Sequence, residues 1–273
     1  MRRSASLSAP LFLPPPMPHR AVYLASDIHL GAIPAERAAA FRRWLEHAGA
    51  RADTVVVNGD LFDFWFEYRH AIPAGYAREL GALAALVDAG VEVHLTGGNH
   101  DWWGGRFLEQ EIGVRFHRDP VEMELAGHTT LVAHGDGLGP GDVGYKILKS
   151  VLRNPIFVWA FRWLHPDLGA RVAGRVSSTE ERPAIPPPVD ARRAEVLEEW
   201  AVGHLGTHPR LDLLTLGHTH WPRLREVGTG RWYLNTGDWV HHCTYAVLEP
   251  GKPPALMRWR DGSGEIWQGE GGS

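Results

Sequence analysis

The sequence predicts an α/β fold in which buried strands alternate with amphipathic helices. Three observations lead to this expectation. Short apolar runs recur along the chain, stripes of apolar residues at helical spacing lie between several of them, and each run leads into a turn that carries Asp, Asn or His. A chain of 273 residues is long enough for one large domain, and its single cysteine excludes an intramolecular disulfide framework. That cysteine usage fits a reducing cytoplasm, where we expect the protein to act.

The elements follow in order along the chain. Five apolar runs are typical of strands buried on both faces, and they lie at residues 22–25, 54–57, 91–95, 131–133 and 211–216. A stripe of apolar residues between Pro34 and Ala48, and another from Leu80 to Val87, predict helices that pack on a sheet. After His220, short segments predict antiparallel strands that complete a second sheet, at 223–227, 231–235 and 243–248.

The polar turns after the apolar runs indicate chemistry. Any one of them alone is explained by turn formation, which is also our expectation for Asp136. Five in register favour a shared site, because the carboxyl ends of parallel strands meet at one edge of a sheet. The turns are Asp27-Ile28-His29, Gly59-Asp60, Gly98-Asn99-His100-Asp101, His134-Gly135-Asp136 and Gly217-His218-Thr219-His220.

The residue types in these turns predict a site for two divalent metal ions. Carboxylate and amide oxygens mixed with imidazole nitrogens suit Mn²⁺, Fe²⁺ or Zn²⁺. The one cysteine, Cys243, lies outside every turn, which argues against a thiolate-bound zinc or an iron-sulfur cluster. Two ions about 4 Å apart neutralise a phosphate ester, activate water and stabilise the leaving oxygen. The turns therefore predict hydrolysis of a phosphate ester.

The net charge and the two termini of the chain limit the partners that we expect for the protein. The net charge of −4 gives no broad basic face for a nucleic-acid backbone, so nucleic acid is not an expected partner. Residues 1–19 are predicted to form a disordered tail, because prolines interrupt the apolar stretch that a signal peptide needs. No apolar stretch approaches the roughly 20 residues that span a bilayer. Residues 261–273 are rich in glycine and are predicted to form a flexible C-terminal tail.

A long insertion separates the last two polar turns. It is predicted at residues 142–189, between the two parts of the main domain at 20–141 and 190–260. Its segment 143–175 carries six basic residues and one acidic residue, a net charge of +5, and 156–161 is apolar all round. Either the insertion packs on the main domain with its basic side chains solvated, or it is a lid that binds hydrocarbon and rests on an anionic membrane surface. Its position between two strands that precede metal ligands favours the lid.

With D-x-H, G-D, G-N-H-D, a His-Gly turn and G-H-x-H in this order, the chain resembles the calcineurin-like metallophosphoesterases from about Ala21 to Tyr245. The resemblance implies a four-layer αββα sandwich of two mixed sheets with a helical lid insertion. It also implies two divalent ions, with Mn²⁺ preferred. The first ion would be held by Asp27, His29 and His220, the second by Asn99, His134 and His218, and Asp60 would bridge them. Asn99 would meet the phosphate, His100 would meet the phosphate or protonate the leaving oxygen, and Asp101 would orient His100.

The insertion and the blocks around it resemble one branch of that family. Asp142-x-Gly144-Tyr145, and Gly59-Asp60-Leu61-Phe62-Asp63-x-Trp65, are similar to the pyrophosphatases that cleave UDP-2,3-diacylglucosamine in lipid A biosynthesis. The resemblance implies products of UMP and a lipid monophosphate, and a peripheral position on the inner face of the cytoplasmic membrane. Substrate contacts would come from Asn99, His100, Asp142, His218, Arg171 and Arg175. Two features depart from the branch: His100 replaces an Arg, and the segment after Ser177 lacks the usual Asn and Lys.

Several functions stay open at this point. A soluble phosphodiesterase or nucleotide pyrophosphatase would use the same metal ions with a lid suited to a water-soluble substrate. A phosphoprotein phosphatase would need an open groove, which the long apolar insertion would obstruct. A non-catalytic scaffold of the same fold should have lost metal ligands, and the motifs contain all of them. The sequence carries no signal for a particular oligomeric state.

Overall fold

The computed structural model describes residues 21–141, 143–176 and 188–269. In chain order the strands are β1 Ala21–Ala25, β2 Ala52–Asn58, β3 Glu92–Thr96, β4 Arg115–His117, β5 Val121–Leu125, β6 His128–Val132, β7 Leu213–Leu216, β8 Arg223–Gly228, β9 Arg231–Asn235, β10 Thr244–Leu248, β11 Ala255–Arg260 and β12 Ser263–Ile266. The helices are α1 Ala35–Gly49, α2 Ala77–Asp88, α3 Val143–Leu152, α4 Pro155–Phe161, α5 Pro166–Val176 and α6 Pro188–Thr207, with one π-helical turn at Leu108–Ile112.

The strands form two mixed sheets. The first has the order β12-β11-β10-β1-β2-β3-β4, and the second has the order β5-β6-β7-β9-β8. In the first sheet β1 to β4 run parallel, and β10 joins β1 in the antiparallel sense. In the second sheet β6, β7 and β9 are parallel, with antiparallel strands at both edges. The parallel strands are therefore β1 to β4 in the first sheet and β6, β7 and β9 in the second, and within each set the carboxyl ends lie at the same end of the sheet.

Three layers of buried side chains hold the elements together. Between the sheets, Leu24 and Val56 of the first pack with Val132, Leu213 and Leu234 of the second. On the outer face of the first sheet lie α1 and α2, with Phe41, Trp44, Leu45, Leu80 and Leu83 against the strands. On the outer face of the second lies α6, through Leu197, Ala201 and Leu205. Full burial of such a side chain contributes about 1.5 to 3 kcal/mol. The predicted αββα sandwich is confirmed.

The sequence prediction of strands was right for the interior of the sheets and incomplete at their edges. All five apolar runs overlap observed strands, which are β1, β2, β3, β6 and β7. The prediction for 243–248 was wrong about the sheet: β10 lies in the first sheet, between β1 and β11. The reason is that β10 is buried on both faces, with Tyr245 toward α1 and Ala246 toward the second sheet. Such a strand fits the middle of a sheet rather than its edge.

The termini and the insertion were predicted with mixed success. Ser263–Ile266 pairs with β11 as strand β12, so this part of the expected C-terminal tail is ordered in the first sheet. The expected disordered tail at residues 1–19 lies outside the described residues. The insertion is helical, as expected, over α3, α4 and α5. Among the helices of the described ranges, none has both the length and the hydropathy required to cross a bilayer.

Candidate dinuclear metal site

The polar turns converge where the parallel strands of both sheets end. Asp27 follows β1, Asp60 follows β2 and Asn99 follows β3, while His134 follows β6 and His218 follows β7. The Asn58 side chain joins the two sheets here, because its amide donates to the carbonyl of Ala133 at 2.8 Å. Residues that lie far apart in sequence are thereby brought to one point, as expected for an edge of parallel strands.

Two glycines allow the turns to approach so closely. A Cβ atom at Gly98 would collide with the Asp60 carboxylate and backbone, and one at Gly217 would collide with Asp27. The glycines that precede Asn99 and His218 are therefore required by space at the site. Without Gly217 the second sheet could not bring His218 next to Asp27, and without Gly98 the turn that carries Asn99 could not approach Asp60.

Five of the predicted ligands, together with His100, form three overlapping groups, and within each group the donor atoms lie within 4.8 Å of one another. The Nε2 atoms of His29 and His220 are 3.2 Å apart, and Asp27 Oδ1 lies 3.3 Å from His220 Nε2. Asp60 Oδ2 lies 3.1 Å from His134 Nε2 and 3.8 Å from His29 Nε2. The groups are Asp27 with His29 and His220, His29 with Asp60 and His100, and Asp27 with Asp60 and His134.

Asn99 and His218 complete the side of the cluster near His134. The amide oxygen of Asn99 is 3.2 Å from His134 Nε2 and 3.0 Å from His218 Nδ1. The backbone N–H of His218 donates to the carboxylate of Asp27 at 3.0 Å. The structure therefore brings together all seven predicted metal ligands, with Asp60 in the middle of the cluster as expected for a bridging carboxylate.

Hydrogen bonds on the outer side of the imidazoles fix which nitrogen faces the cluster. His134 Nδ1 is 3.0 Å from the carbonyl oxygen of Asn58, and His100 Nδ1 is 2.7 Å from that of Asp63. A carbonyl accepts only, so each Nδ1 carries a proton and each Nε2 is turned toward the carboxylates. His220 Nδ1 lies 2.9 Å from the carboxylate of Asp238, which fixes that ring in the same way. Outer partners of this kind orient metal-ligating histidines in proteins.

The protonation of the cluster reflects burial and close charges. Burial raises the pKa of Asp27 to about 7, and the neighbouring Asp60 adds to this. Burial also opposes ionisation of Asp60, but the imidazoles of His134 and His100 hold its pKa well below the usual value. For His134, burial disfavours the imidazolium, yet Asp60 outweighs it and raises the pKa to about 10. These shifts indicate that the buried carboxylates of the cluster are stabilised by a positive partner, which can be a proton or a metal cation.

The backbone at the ligands lies in a region that side chains rarely adopt. Five of the seven predicted ligands have a positive φ although none is glycine, a conformation that costs about 1 to 3 kcal/mol per residue and concentrates at functional sites. The angles are 53° at Asp27, 51° at His29, 52° at Asp60, 67° at His218 and 57° at His220.

These residues fit a pair of divalent cations. Asp27, His29, Asp60 and His134 are buried, and their donor atoms are directed at each other rather than at solvent. Facing imidazole nitrogens and buried carboxylates are stable together when cations lie between them. Oxygen and nitrogen donors without sulfur suit first-row divalent metals and magnesium. The described residues therefore contain the ligand set that the sequence predicts.

The prediction for Asp101 was wrong. Asp101 does not contact the ring of His100, and its carboxylate instead accepts backbone N–H groups from Leu61 at 2.7 Å and Gly98 at 2.8 Å. Burial, followed by the charge of Asp60, raises its pKa to about 6. Asp101 therefore joins two ligand-bearing turns, and the carbonyl of Asp63 orients His100. A carboxylate accepts several backbone donors, which makes it suited to closing such turns.

Three of the predicted substrate contacts lie in the insertion. Asp142 lies outside the described residues, as does the side chain of Arg175, whose backbone is in α5. Arg171 is exposed on α5. These three remain predictions as substrate contacts. Two residues that each hold a histidine of the site were not identified from the sequence, Asp238 beside His220 and Asp63 beside His29. Asp238 belongs to a Gly-Asp pair, and Asp63 lies three residues after one, so the Gly-Asp pattern was the available signal for both.

Comparison with known proteins agrees with this geometry. The family model described as calcineurin-like phosphoesterase matches residues 21–222. The UDP-2,3-diacylglucosamine hydrolase of Porphyromonas gingivalis is 32% identical over 245 residues, covering 84% of this chain and 94% of that protein. That of Xanthomonas axonopodis pv. citri is 33% identical over 230 residues, covering 82% and 88%. Among solved structures, vacuolar protein sorting 29 from Cryptosporidium parvum aligns with 91% of this chain and 95% of its own, at 17% identity and a TM-score of 0.45. The chain belongs to the calcineurin-like phosphoesterase family.

Proposed function

We propose that the protein hydrolyses the pyrophosphate of UDP-2,3-diacylglucosamine to UMP and 2,3-diacylglucosamine 1-phosphate, with two Mn²⁺ ions. The similarity to the UDP-2,3-diacylglucosamine hydrolases of two bacteria extends over more than four fifths of the chain. The observation that carries the proposal is the convergence of all seven candidate metal ligands beside a helical insertion that exposes apolar side chains. A substrate in which a pyrophosphate links a nucleoside to a sugar with two acyl chains matches both parts.

The residues of the cluster have separate tasks in this reaction. Asp27, His29 and His220 would hold one cation, Asn99, His134 and His218 the other, and Asp60 both. When bound, the two cations would neutralise the pyrophosphate and activate water for attack on phosphorus. The ring of His100 is fixed through Nδ1, so its Nε2 faces the cluster and is placed to donate a proton to the leaving oxygen.

The insertion supports a substrate with hydrocarbon chains. A groove of about 800 Å³ lies between α3 and α4 and is lined by Val143, Ile147, Val151, Ile156 and Phe157. Ile156 is 75% exposed and Ile147 is 61% exposed. Apolar surface of this kind on a protein marks a binding site for a ligand, another protein or a membrane. In the proposed function the acyl chains and the membrane supply the apolar partner.

The same surface supports a peripheral position on the inner membrane. Trp159 and Trp163 on the outer side of the insertion are 61% and 77% exposed. Arg162 and Arg171 of the same insertion are exposed and suit anionic lipid headgroups. Flotation with phosphatidylglycerol vesicles tests this placement. We expect the wild-type protein to float with the vesicles, and a Trp159→Ser, Trp163→Ser variant to remain with the soluble fraction.

The function itself is tested with purified protein and a panel of substrates. We expect UMP to form from UDP-2,3-diacylglucosamine with Mn²⁺, and chelation to stop the reaction. UDP-N-acetylglucosamine has the same pyrophosphate without acyl chains, and bis(p-nitrophenyl) phosphate is a small soluble diester. Preferential turnover of either over the lipid-linked nucleotide would replace the proposal with a soluble pyrophosphatase or phosphodiesterase. An absence of turnover on all three substrates with metal bound would instead identify a non-catalytic scaffold.

A further inference from the structure

Helix α3 is attached to the protein by polar contacts and not by a hydrophobic face. None of its described side chains is buried. Its apolar residues Val143, Ile147 and Val151 are 66%, 61% and 48% exposed, whereas Tyr145 and Lys149 on the opposite side are only half-exposed. A helix on the surface of a water-soluble protein normally shows the reverse pattern. The position of α3 therefore depends on what its polar side meets.

That side of α3 meets the carboxylate of Asp136. Asp136 Oδ2 accepts from the hydroxyl of Tyr145 at 3.1 Å, from Lys149 Nζ at 2.8 Å and from Arg153 Nη2 at 2.9 Å. Lys149 Nζ also donates to the backbone carbonyl of Asp136 at 2.6 Å. Asp136 itself is 5% exposed. Hydrogen bonds between charged groups are about twice as strong as neutral ones, and here they converge on one oxygen.

The contacts link α3 to two loops that carry metal ligands. Asp136 is two residues beyond His134, and Arg153 reaches across to the carbonyl of Gly98 at 3.3 Å, next to Asn99. The guanidinium of Arg153 also lies 5.0 Å from the ring centre of Trp102. On the same loop, Trp103 Nε1 donates to the carbonyl of Leu152 at 3.1 Å. The contacts therefore hold α3, with its apolar outer side, directly beside the cluster.

We propose that Asp136 is a positioning residue that holds α3 beside the metal site and thereby determines preference for a lipid-linked substrate over a small phosphodiester. This inference rests on the proposed function. Without the carboxylate, Lys149 and Arg153 lose their common acceptor, and α3 has no buried apolar side chain to keep it in place. The acyl groove between α3 and α4 then loses its position relative to the phosphate, while the ligands of the cluster keep theirs.

The test is Asp136→Asn, which keeps the size of the side chain and removes its charge. We expect kcat/KM on UDP-2,3-diacylglucosamine to fall by about 10-fold to 100-fold, the range expected when hydrogen bonds to a charged group are lost, mainly through KM. Turnover of bis(p-nitrophenyl) phosphate and the metal content should stay near wild type. Hydrogen exchange of the amides at 143–152 should become faster. Lys149→Gln leaves Asp136 intact. It should lower the ratio of kcat/KM on UDP-2,3-diacylglucosamine to kcat/KM on bis(p-nitrophenyl) phosphate by a smaller factor than Asp136→Asn does.

The matched control is Glu198→Gln on α6. Glu198 is 8% exposed and its carboxylate likewise accepts from two arginines, Arg223 at 3.1 Å and Arg225 at 2.8 Å. These partners belong to the second sheet, and among the described residues neither makes a hydrogen bond or an ion pair with α3, α4 or α5. Loss of this carboxylate should lower thermal stability comparably and leave the ratio of the two substrates unchanged. A shifted ratio in Glu198→Gln would assign the effect to stability and overturn the proposal.

Two other results would overturn it. Equal losses on both substrates together with lost metal would mean that Asp136 acts through His134. Unchanged hydrogen exchange in α3 would mean that the carboxylate does not hold the helix. If the wild-type protein does not cleave the lipid-linked nucleotide, the proposed function fails. Hydrogen exchange of the α3 amides in Asp136→Asn still decides whether Asp136 holds this helix in place.

Discussion

Asp238→Asn tests whether a residue outside the sequence motifs prepares His220 for metal binding. The carboxylate of Asp238 is fully buried and has donors on both oxygens. One oxygen faces His220 Nδ1 at 2.9 Å. The other accepts the backbone N–H groups of His241 and His242 at 2.9 Å each and faces His242 Nδ1 at 3.0 Å. The side-chain amide of an asparagine has a single oxygen, so it can accept hydrogen bonds from only one of these two groups of donors.

The oxygen of the asparagine should face the larger group of donors, which leaves its NH₂ toward His220. A donor at this position requires Nδ1 of His220 to be the acceptor, so the ring proton moves to Nε2. That nitrogen lies 3.3 Å from Asp27 Oδ1 and points into the cluster, where a protonated nitrogen cannot bind metal. Changes in such outer partners lower metal affinity by about 10-fold to 100-fold, which corresponds to about 1.4 to 2.7 kcal/mol.

Equilibrium dialysis with Mn²⁺ measures this change directly. We expect the affinity at the site with Asp27, His29 and His220 to fall, while the second ion is retained. The control is Asp212→Asn, because Asp212 accepts a backbone N–H from Thr129 at 2.9 Å and lies outside the cluster. Its metal binding should equal that of the wild type. Unchanged affinity for both ions in Asp238→Asn would refute the tautomer argument.

Three further outcomes are expected. Asp60→Ala should lose both ions and all turnover, whereas His100→Ala should keep its ions, as measured by elemental analysis, and lose mainly rate. Because the pKa of His134 is raised to about 10, metal must displace its proton, so apparent affinity should rise with pH from 6 to 9 by up to about tenfold per unit. Calorimetry in buffers of different ionisation enthalpy should detect the released proton. Asp101→Ala should lower the free energy of unfolding by about 1 to 3 kcal/mol in chemical denaturation, because buried backbone donors lose their acceptor.

Each of these outcomes has a contrary result that is easily recognised. Loss of metal from His100→Ala would make the imidazole a ligand rather than a proton donor. A pH-independent affinity would mean that His134 is already neutral before metal binds. An unchanged unfolding midpoint in Asp101→Ala would remove its role between the two turns.

The sequence predicted the interior of the fold better than its edges. Strands such as β2 and β7 are continuous apolar runs because helices and a second sheet cover both their faces, and this pattern is visible in one sequence. Edge strands such as β5 and β12 alternate with polar residues or are short, so their pattern resembles that of loops. The sheet that β10 joins depends on packing with β1 and β11, which is a long-range property.

The convergence of the candidate metal ligands was predictable because each follows a buried strand in a short polar motif. The residues that orient them were not, since their roles depend on contacts across the fold. Asp238 is 18 positions from His220, and the carbonyl of Asp63 is 37 positions from His100. Asp101 lies next to His100 in sequence, which suggested a contact, but the direction of its side chain is set by the turn at Leu61.

The left-handed backbone at five ligands has a consequence for the evolution and engineering of this protein. At Asp27, His29, Asp60, His218 and His220, glycine would adopt the observed φ without a steric penalty. A screen for heat resistance alone should therefore reward glycine at these sites and produce robust proteins that bind no metal. Such substitutions would abolish activity, so selection for activity removes them. The protein therefore keeps a lower thermal stability than its fold would allow at these positions.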